Sequence, residues 1–133
     1  MKFKGHTIIT AIVLVILSLI FRDITVTSIL IPILFIADGP DVDLKFNSHR
    51  NIFFHSLFLP IITLIFIPSI LTIMITFTIG LHLLCDVSFK KVGGTYCVKL
   101  YHKAIGGYWF ATIWFISNFV ASIIILSIWL VIV

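Results

Sequence analysis

The sequence predicts an all-α, polytopic membrane protein in which short helical hairpins bundle with a C-terminal transmembrane helix. Hydrophobic residues make up 61% of its 133 residues, and charged residues only 11%. The mean hydropathy is +1.26. A soluble protein could not cover this much apolar surface, so the composition indicates a single integral membrane domain over residues 1–133.

Five apolar runs predict five helices, over about residues 3–21, 24–37, 52–67, 70–85 and 108–133. The first two runs are separated by a tight turn, and helices of about 15 residues would span about 22 Å, less than the roughly 30 Å of bilayer hydrocarbon. Such helices thin the bilayer locally or insert part of the way. The last run is long enough for one tilted span, and a hairpin at Ser117-Asn118 is the less favoured alternative.

Pro68 separates the third run from the fourth. On one straight helix His55 and His82 would lie about 40 Å apart, because each residue rises about 1.5 Å. A chain reversal at Ile67-Pro68-Ser69 would instead return His55 to the level of His82. A proline kink within one continuous helix is the alternative.

The two predicted hairpins bring most ionisable residues to one end of the bundle, where residues 38–51 form a polar loop. Eight of the nine basic residues lie at this end, which the positive-inside rule assigns to the cytoplasm. They are Lys2, Lys4, Lys45, Arg50, Lys90, Lys91, Lys99 and Lys103. The first two precede an apolar run without a small-residue cleavage site, as in an uncleaved signal-anchor. Residues 87–107 are predicted as a cytoplasmic loop with room for a short interfacial helix.

The stretch from Asp38 to Ser56 holds the first candidate metal ligands, because it contains three of the five Asp and two of the five His. Asp41 and Asp43 flank Val42, so an extended backbone would point both carboxylates the same way. Carboxylates and imidazoles are the ligand set of zinc and related divalent metals. The pattern therefore favours a metal site over a merely solvated loop.

His49 and His55 follow those carboxylates along the chain. We expect His49 in the loop and His55 about one turn into the third helix, behind an N-cap at Ser48 or Asn51. In that arrangement the two imidazoles could converge on the carboxylates. Arg50 would place a planar cation beside the metal, suited to a substrate phosphate. A positive-inside anchor is an equally good interpretation of Arg50.

His82 and Asp86 form a second candidate pair, four residues apart at the end of the fourth run. On a helix the two side chains share one face, which suits joint ligation or a carboxylate that orients the imidazole. A polar pair at the membrane boundary is the alternative. Ionisable residues inside membrane segments are usually functional, so the pair favours a site.

The remaining candidates carry less information. His6 is a candidate only because the predicted topology places it at the same end of the bundle as the other ligands. Asp38 could simply cap or turn the chain. His102 is interpreted as a solvated loop residue. Cys85 and Cys97 form no paired motif and indicate no disulfide.

An ordered set of short motifs runs through the chain. They are Pro40-Asp41-Val42-Asp43, His49-Arg50, His55-Ser56 and Gly80-Leu81-His82-Leu83-Leu84-Cys85-Asp86, with His6 before them and Gly93-Gly94-Thr95 after them. This order resembles the YdjM-like family of inner-membrane metal-dependent hydrolases, over the chain up to about Lys103. Family members often carry a proline after the Gly-Thr segment, where this chain has Leu100-Tyr101-His102. The resemblance implies a multi-pass protein of a bacterial or archaeal inner membrane.

These residues together predict a membrane-bound hydrolase with one or two divalent ions, most simply zinc, with manganese as an alternative. The expected ligands are His6, Asp41, Asp43, His49, His55, His82 and Asp86. The metal would lower the pKa of a bound water, with Asp43 as general base and Arg50 holding an anionic group.

A site at the membrane surface makes lipid the expected partner and a phosphoester or ester of a lipid the expected substrate. Basic residues do not cluster with exposed aromatics, so no nucleic-acid groove is indicated. The rival prediction is a non-catalytic metal-binding or ion-translocating membrane protein. Only scattered Ser and Thr interrupt the apolar runs, and these can satisfy helix backbones without lining a pore. Hydrolysis is therefore favoured.

Overall fold

The computed structural model describes residues 3–21, 25–33, 39–41, 50–87, 97–100 and 103–132, and within them the chain is mostly helical. The helices are α1 (Phe3–Ile20), α2 (Val26–Ile31), α3 (Phe58–Phe66), α4 (Ile70–Cys85) and α5 (Tyr108–Ile132). Two short strands, β1 (Val98–Leu100) and β2 (Lys103–Ile105), depart from the predicted all-α fold. The second helix is predicted to extend to residue 37, but residues 34–37 lie outside the described residues.

The chain reverses between α3 and α4 where the sequence predicts it. Ile67 ends α3, and Ser69 begins α4 with a capping box. The Ser69 hydroxyl accepts a hydrogen bond from the Thr72 N–H at 3.3 Å, and the Thr72 hydroxyl accepts one from the Ser69 N–H at 3.1 Å. These bonds satisfy backbone donors that a helix start leaves open, so they fix the reversal locally.

The start of α3 differs from the prediction, because residues 52–57 form turns and the helix begins only at Phe58. Side chains take the backbone donors that a helix would use. The Asn51 amide oxygen accepts from the Phe53 N–H at 3.0 Å, and the Asn118 amide oxygen accepts from the Leu57 N–H at 2.9 Å. Such bonds compete with helix formation. His55 therefore lies in a loop ahead of α3 and not one turn into it, and the expected N-cap at Ser48 or Asn51 is wrong, because Leu57 holds that position.

The two strands form an antiparallel hairpin to which the loop before α3 is joined. Lys99 pairs with Ala104 in the hairpin and makes a parallel bridge with Asn51. The Ile52 N–H donates to the Lys99 carbonyl at 2.8 Å, and the Lys99 N–H donates to the Arg50 carbonyl at 2.9 Å. The hairpin thus anchors the segment that carries Arg50 and leads to His55.

α4 is the central helix and contacts all four of the others. Its contact with α5 is close at Gly80, where an added Cβ would lie 2.1 Å from the Ser122 hydroxyl oxygen. A glycine at this position lets the two backbones approach closely, because it has no Cβ.

α1 runs antiparallel to α4, because His6 near its start contacts His82 near the end of α4. One turn further along each helix come Thr10 and Thr78, and after another turn Leu14 and Met74. All six side chains are at most 2% exposed. Leu14 and Met74 share one hydrophobic cluster, so the polar part of this contact lies at one end and the apolar part at the other.

α5 is the one helix among the described residues that is long and apolar enough to cross a membrane. Its 25 residues extend about 37 Å at about 1.5 Å each. Ser117 and Asn118 do not interrupt it, since both side chains donate to the Trp114 carbonyl, at 3.0 and 2.8 Å. α5 is therefore a single continuous helix. α4 and most of α1 are apolar but shorter.

Candidate metal centre

Four acidic and histidine side chains converge at one end of α4. They are Asp41, His55, His82 and Asp86, and each offers one ligand atom within 4.8 Å of the others. The two histidines and Asp86 are buried, and Asp41 is half-buried. They come from three segments that are distant in sequence. This cluster could hold a metal ion.

α4 supplies two of the four. His82 lies in its last turn, and Asp86 is the residue at its C-cap, whose N–H donates to the His82 carbonyl at 3.1 Å. The helical spacing places both side chains on one face, with His82 Nε2 4.0 Å from Asp86 Oδ2. The predicted pairing of these residues therefore follows from local helix geometry.

His55 reaches the cluster from the loop before α3. Its Nε2 lies 3.3 Å from Asp86 Oδ2 and 3.7 Å from Asp41 Oδ1. Trp114 holds the backbone, because its indole N–H donates to the His55 carbonyl at 2.8 Å. The His55 ring packs against Phe115 with 6.3 Å between ring centroids. The only sign of this contact in the sequence is that a buried indole N–H needs a hydrogen-bond partner.

Asp41 belongs to a single 3₁₀ turn over residues 39–41. Its Oδ1 lies 3.7 Å from Nε2 of His55 and equally 3.7 Å from Nε2 of His82. Pro40 is buried and has a fixed φ, which helps to hold the turn. Asp41 therefore closes the side of the cluster between the two histidines.

Both carboxylates are held in the charged form. Burial raises the pKa of Asp86, but the neighbouring His55, His82 and Arg50 outweigh it, so the pKa lies well below its usual range. Burial likewise raises the pKa of Asp41, and the neighbouring imidazoles of His55 and His82 more than offset both burial and the negative charge of Asp86. Ionised carboxylates are the form that binds cations.

The distances fit a compact divalent ion. In a tetrahedral site with bonds of about 2 Å, neighbouring ligand atoms lie about 3.3 Å apart. The four histidine–carboxylate separations in this cluster range from 3.3 to 4.0 Å. Two imidazole nitrogens and two carboxylate oxygens suit zinc and also manganese. All four ligand atoms lie within 4.8 Å of one another, so the most widely separated pair would have to approach by up to about 1.5 Å to reach tetrahedral spacing.

His6 lies beside this cluster and outside its four members. Its Nδ1 is 3.0 Å from Nδ1 of His82, so one ring donates and the other accepts. Its Nε2 lies 3.7 Å from Asp86 Oδ1. If His82 held a metal through Nε2, its Nδ1 would carry the proton and would donate to His6. This geometry suits His6 better as a partner that orients His82 than as a ligand of the same ion.

Arg50 lies at the edge of the cluster, with its side chain 19% exposed and its Nε 3.9 Å from Asp86 Oδ2. Its φ is 63°, in the left-handed region that a non-glycine residue seldom adopts. Backbone pairing with Lys99 holds this conformation in place. Strained residues concentrate at functional sites, and the strained Arg50 places its guanidinium beside the candidate metal centre.

Two further predicted ligands, Asp43 and His49, lie outside the described residues, as do Asp38 and His102. Their roles stay predictions. The structure thus brings together His6, Asp41, Arg50, His55, His82 and Asp86 from the predicted set.

Comparison with known proteins identifies no relative of this chain. No family model matches the chain, and no curated protein or solved structure is significantly similar to it. The resemblance to YdjM-like hydrolases therefore stays a prediction from the motifs.

Proposed function

We propose that this protein is a membrane-bound, metal-dependent hydrolase of a phosphoester or ester carried by a membrane-associated substrate, of the YdjM-like type. The observation that carries the proposal is the convergence of Asp41, His55, His82 and Asp86, of which Asp41 is half-buried and the other three are buried. Burying two carboxylates and two imidazoles together is costly unless charges are compensated, and a divalent cation compensates them.

The membrane part of the proposal is supported by the apolar surface of the helices. Large apolar side chains are exposed on α1, α3 and α5, among them Leu19 at 79%, Phe66 at 79% and Val131 at 87%. An exposed apolar surface of this extent marks contact with lipid or with another protein. We assign it to lipid, with several helices inserted in a cell inner membrane and the metal centre on the cytoplasmic side by the positive-inside rule.

In the proposed reaction the four clustered residues hold the metal, with zinc as the first choice and manganese as the second. A metal bound here would polarise the substrate and lower the pKa of a water. Arg50 would bind the anionic group of the substrate, since a guanidinium suits phosphate oxygens. Proton removal falls to a carboxylate that is not fully engaged in ligation, with Asp43 as the predicted residue.

One observation favours a second candidate function. Four protein ligands are enough to close a tetrahedral zinc site, and closed sites are structural. A non-catalytic metal-binding or ion-translocating membrane protein is therefore the alternative. For hydrolysis, one of the four ligands would have to bind the metal weakly enough for a water to take its place. The half-buried Asp41 is the candidate.

Metal content of the detergent-purified protein tests the proposal, measured by elemental analysis on wild type, His55→Ala and Asp86→Ala. We expect near-stoichiometric zinc or manganese in wild type and its loss in both variants, because the two residues come from different segments of one cluster. His102→Ala is the matched histidine control and should retain metal. If the wild-type protein contains no metal after purification without chelator and with metal added back, the proposed hydrolase function is refuted.

Catalysis is tested next on the metal-loaded protein, with phospholipids as substrates. Arg50→Ala should reduce hydrolysis while metal content stays near the wild-type value, and Arg50→Lys should retain part of the activity because it keeps the charge. Stoichiometric metal without hydrolysis of any phosphoester or ester tested would favour the structural metal site.

A further inference from the structure

A cavity of about 290 Å³ lies beside the loop that carries His55. Its walls come from that loop, the β-hairpin and two helices, and are formed by Ile52, Phe53, Phe58, Leu100, Ile105 and Trp114. Ser56 completes the lining, but its hydroxyl donates to the Phe53 carbonyl at 3.4 Å and accepts from the Phe58 N–H at 3.2 Å. The cavity therefore offers almost no polar group to a ligand and suits a hydrocarbon.

The mouth of the cavity is continuous with the apolar surface of the molecule. Phe53, Phe58 and Leu100 are 41%, 53% and 40% exposed. Phe58 is the first residue of α3, whose next residue, Leu59, is also exposed. An apolar chain in a surrounding membrane could thus enter sideways without crossing water.

The same loop that lines the cavity carries the charged groups of the candidate metal centre. Arg50 comes two residues before Ile52, and His55 directly precedes Ser56. Trp114 belongs to both regions, because its ring lines the cavity while its N–H holds the His55 carbonyl. An apolar cavity and a cationic site on one short loop together match an amphiphilic, anionic molecule.

We propose that this cavity holds an acyl chain of a membrane lipid whose anionic phosphate group binds at Arg50 and the metal centre. The inference names the substrate class of that centre and so rests on the proposed function. The chain would position the phosphoester, as binding energy from remote parts of a substrate does in enzymes generally.

Tryptophan fluorescence can test the cavity, because Trp114 lines it and the chain has only two other tryptophans. In detergent-purified protein with Trp109→Phe and Trp129→Phe, we would titrate phosphatidic acid brominated on one acyl chain. We expect saturable quenching of Trp114. The reference protein carries Trp109→Phe and Trp114→Phe, so that Trp129 reports from the far end of α5, and its quenching should be shallow and non-saturating.

Two controls sharpen the result. Leu100→Gln places an amide in the cavity wall and should raise the quenching midpoint about tenfold, whereas Leu59→Gln, at a similarly exposed leucine outside the cavity, should leave it unchanged. Brominated diacylglycerol, which has the chain without the phosphate, should bind about tenfold more weakly, because it lacks a charge-assisted contact with Arg50.

Equal quenching of Trp114 and Trp129 would overturn the acyl-chain site, and so would a midpoint that Leu100→Gln does not change. Equal binding of diacylglycerol and phosphatidic acid would overturn the anionic phosphate assignment. Quenching needs no turnover, so its success alongside a failed hydrolysis assay would remove the hydrolase and leave a lipid-binding site.

Discussion

Replacing Gly80 with alanine should drive α4 and α5 apart. The new Cβ would lie 2.1 Å from the hydroxyl oxygen of Ser122 and 2.6 Å from its Cβ, whereas ordinary contacts begin at 3.4 Å. Rotating the serine side chain would break the bond that its hydroxyl donates to the Phe119 carbonyl at 2.7 Å. It would also leave the contact between the two Cβ atoms unchanged.

The size of the effect follows from that contact. Moving the two Cβ atoms from 2.6 Å to 3.4 Å requires about 0.8 Å of helix separation. Overpacking of this kind costs about 1–3 kcal/mol, and alanine recovers up to about 1 kcal/mol through its higher helix propensity. We expect a net loss of up to about 2 kcal/mol in the free energy of unfolding once the full gain in helix propensity is subtracted. Metal affinity should fall as well, because the same helix positions His82 and Asp86.

The assay is reversible unfolding in detergent, followed by circular dichroism, on a double-mutant cycle. Ser122→Gly removes both clashing atoms and should restore most of the stability lost in Gly80→Ala. Ser117→Gly is the matched control, because it makes the same change at an exposed position of α5. If Gly80→Ala with Ser122→Gly is no more stable than Gly80→Ala with Ser117→Gly, the close approach of the helices is wrong.

Three further predictions concern the metal centre and the turn before α4. His6→Ala should lower metal affinity about 10- to 100-fold, measured by competition with a chromophoric chelator, because His82 loses its orienting partner; His6→Gln, which keeps an acceptor, should lose less. Metal-free protein should lose stability as pH falls below about 4, the value of an unfolded Asp, because Asp86 has a lowered pKa in the folded state. Denaturant titrations should show this loss in wild type and a flatter profile in Asp86→Asn. Ser69→Ala should cost about 1 kcal/mol of stability in the same titrations, through loss of the cap, without changing metal content.

Local features of the site could be predicted from the sequence. The alignment of His82 with Asp86 depends only on helical spacing, and the reversal at Pro68 depends on a proline followed by a capping serine. Both signals lie within a few residues. The return of His55 towards His82 follows from that reversal.

Non-local contacts could not be predicted in this way. The bond from the Leu57 N–H to Asn118, 61 residues away, delays the start of α3 and leaves His55 in a loop. The pairing of Arg50 and Ile52 with Lys99 depends on strands of three residues, too short to show a period of two. Gly80 gave no signal either, because its importance comes from Ser122 on another helix.

The buried side chains of α1 and α4 change from polar to apolar with distance from the His6–His82 contact, with Thr10 and Thr78 next and Leu14 and Met74 after them. If α1 slid by one turn, about 5.4 Å, a histidine would face a threonine and a threonine would face an aliphatic side chain. Such a slide would also break the 3.0 Å contact between Nδ1 of His6 and Nδ1 of His82, a buried polar contact that two purely aliphatic helices would not have. The order of polar and apolar residues therefore specifies one position of α1 along α4. In that position the His6 ring lies against His82.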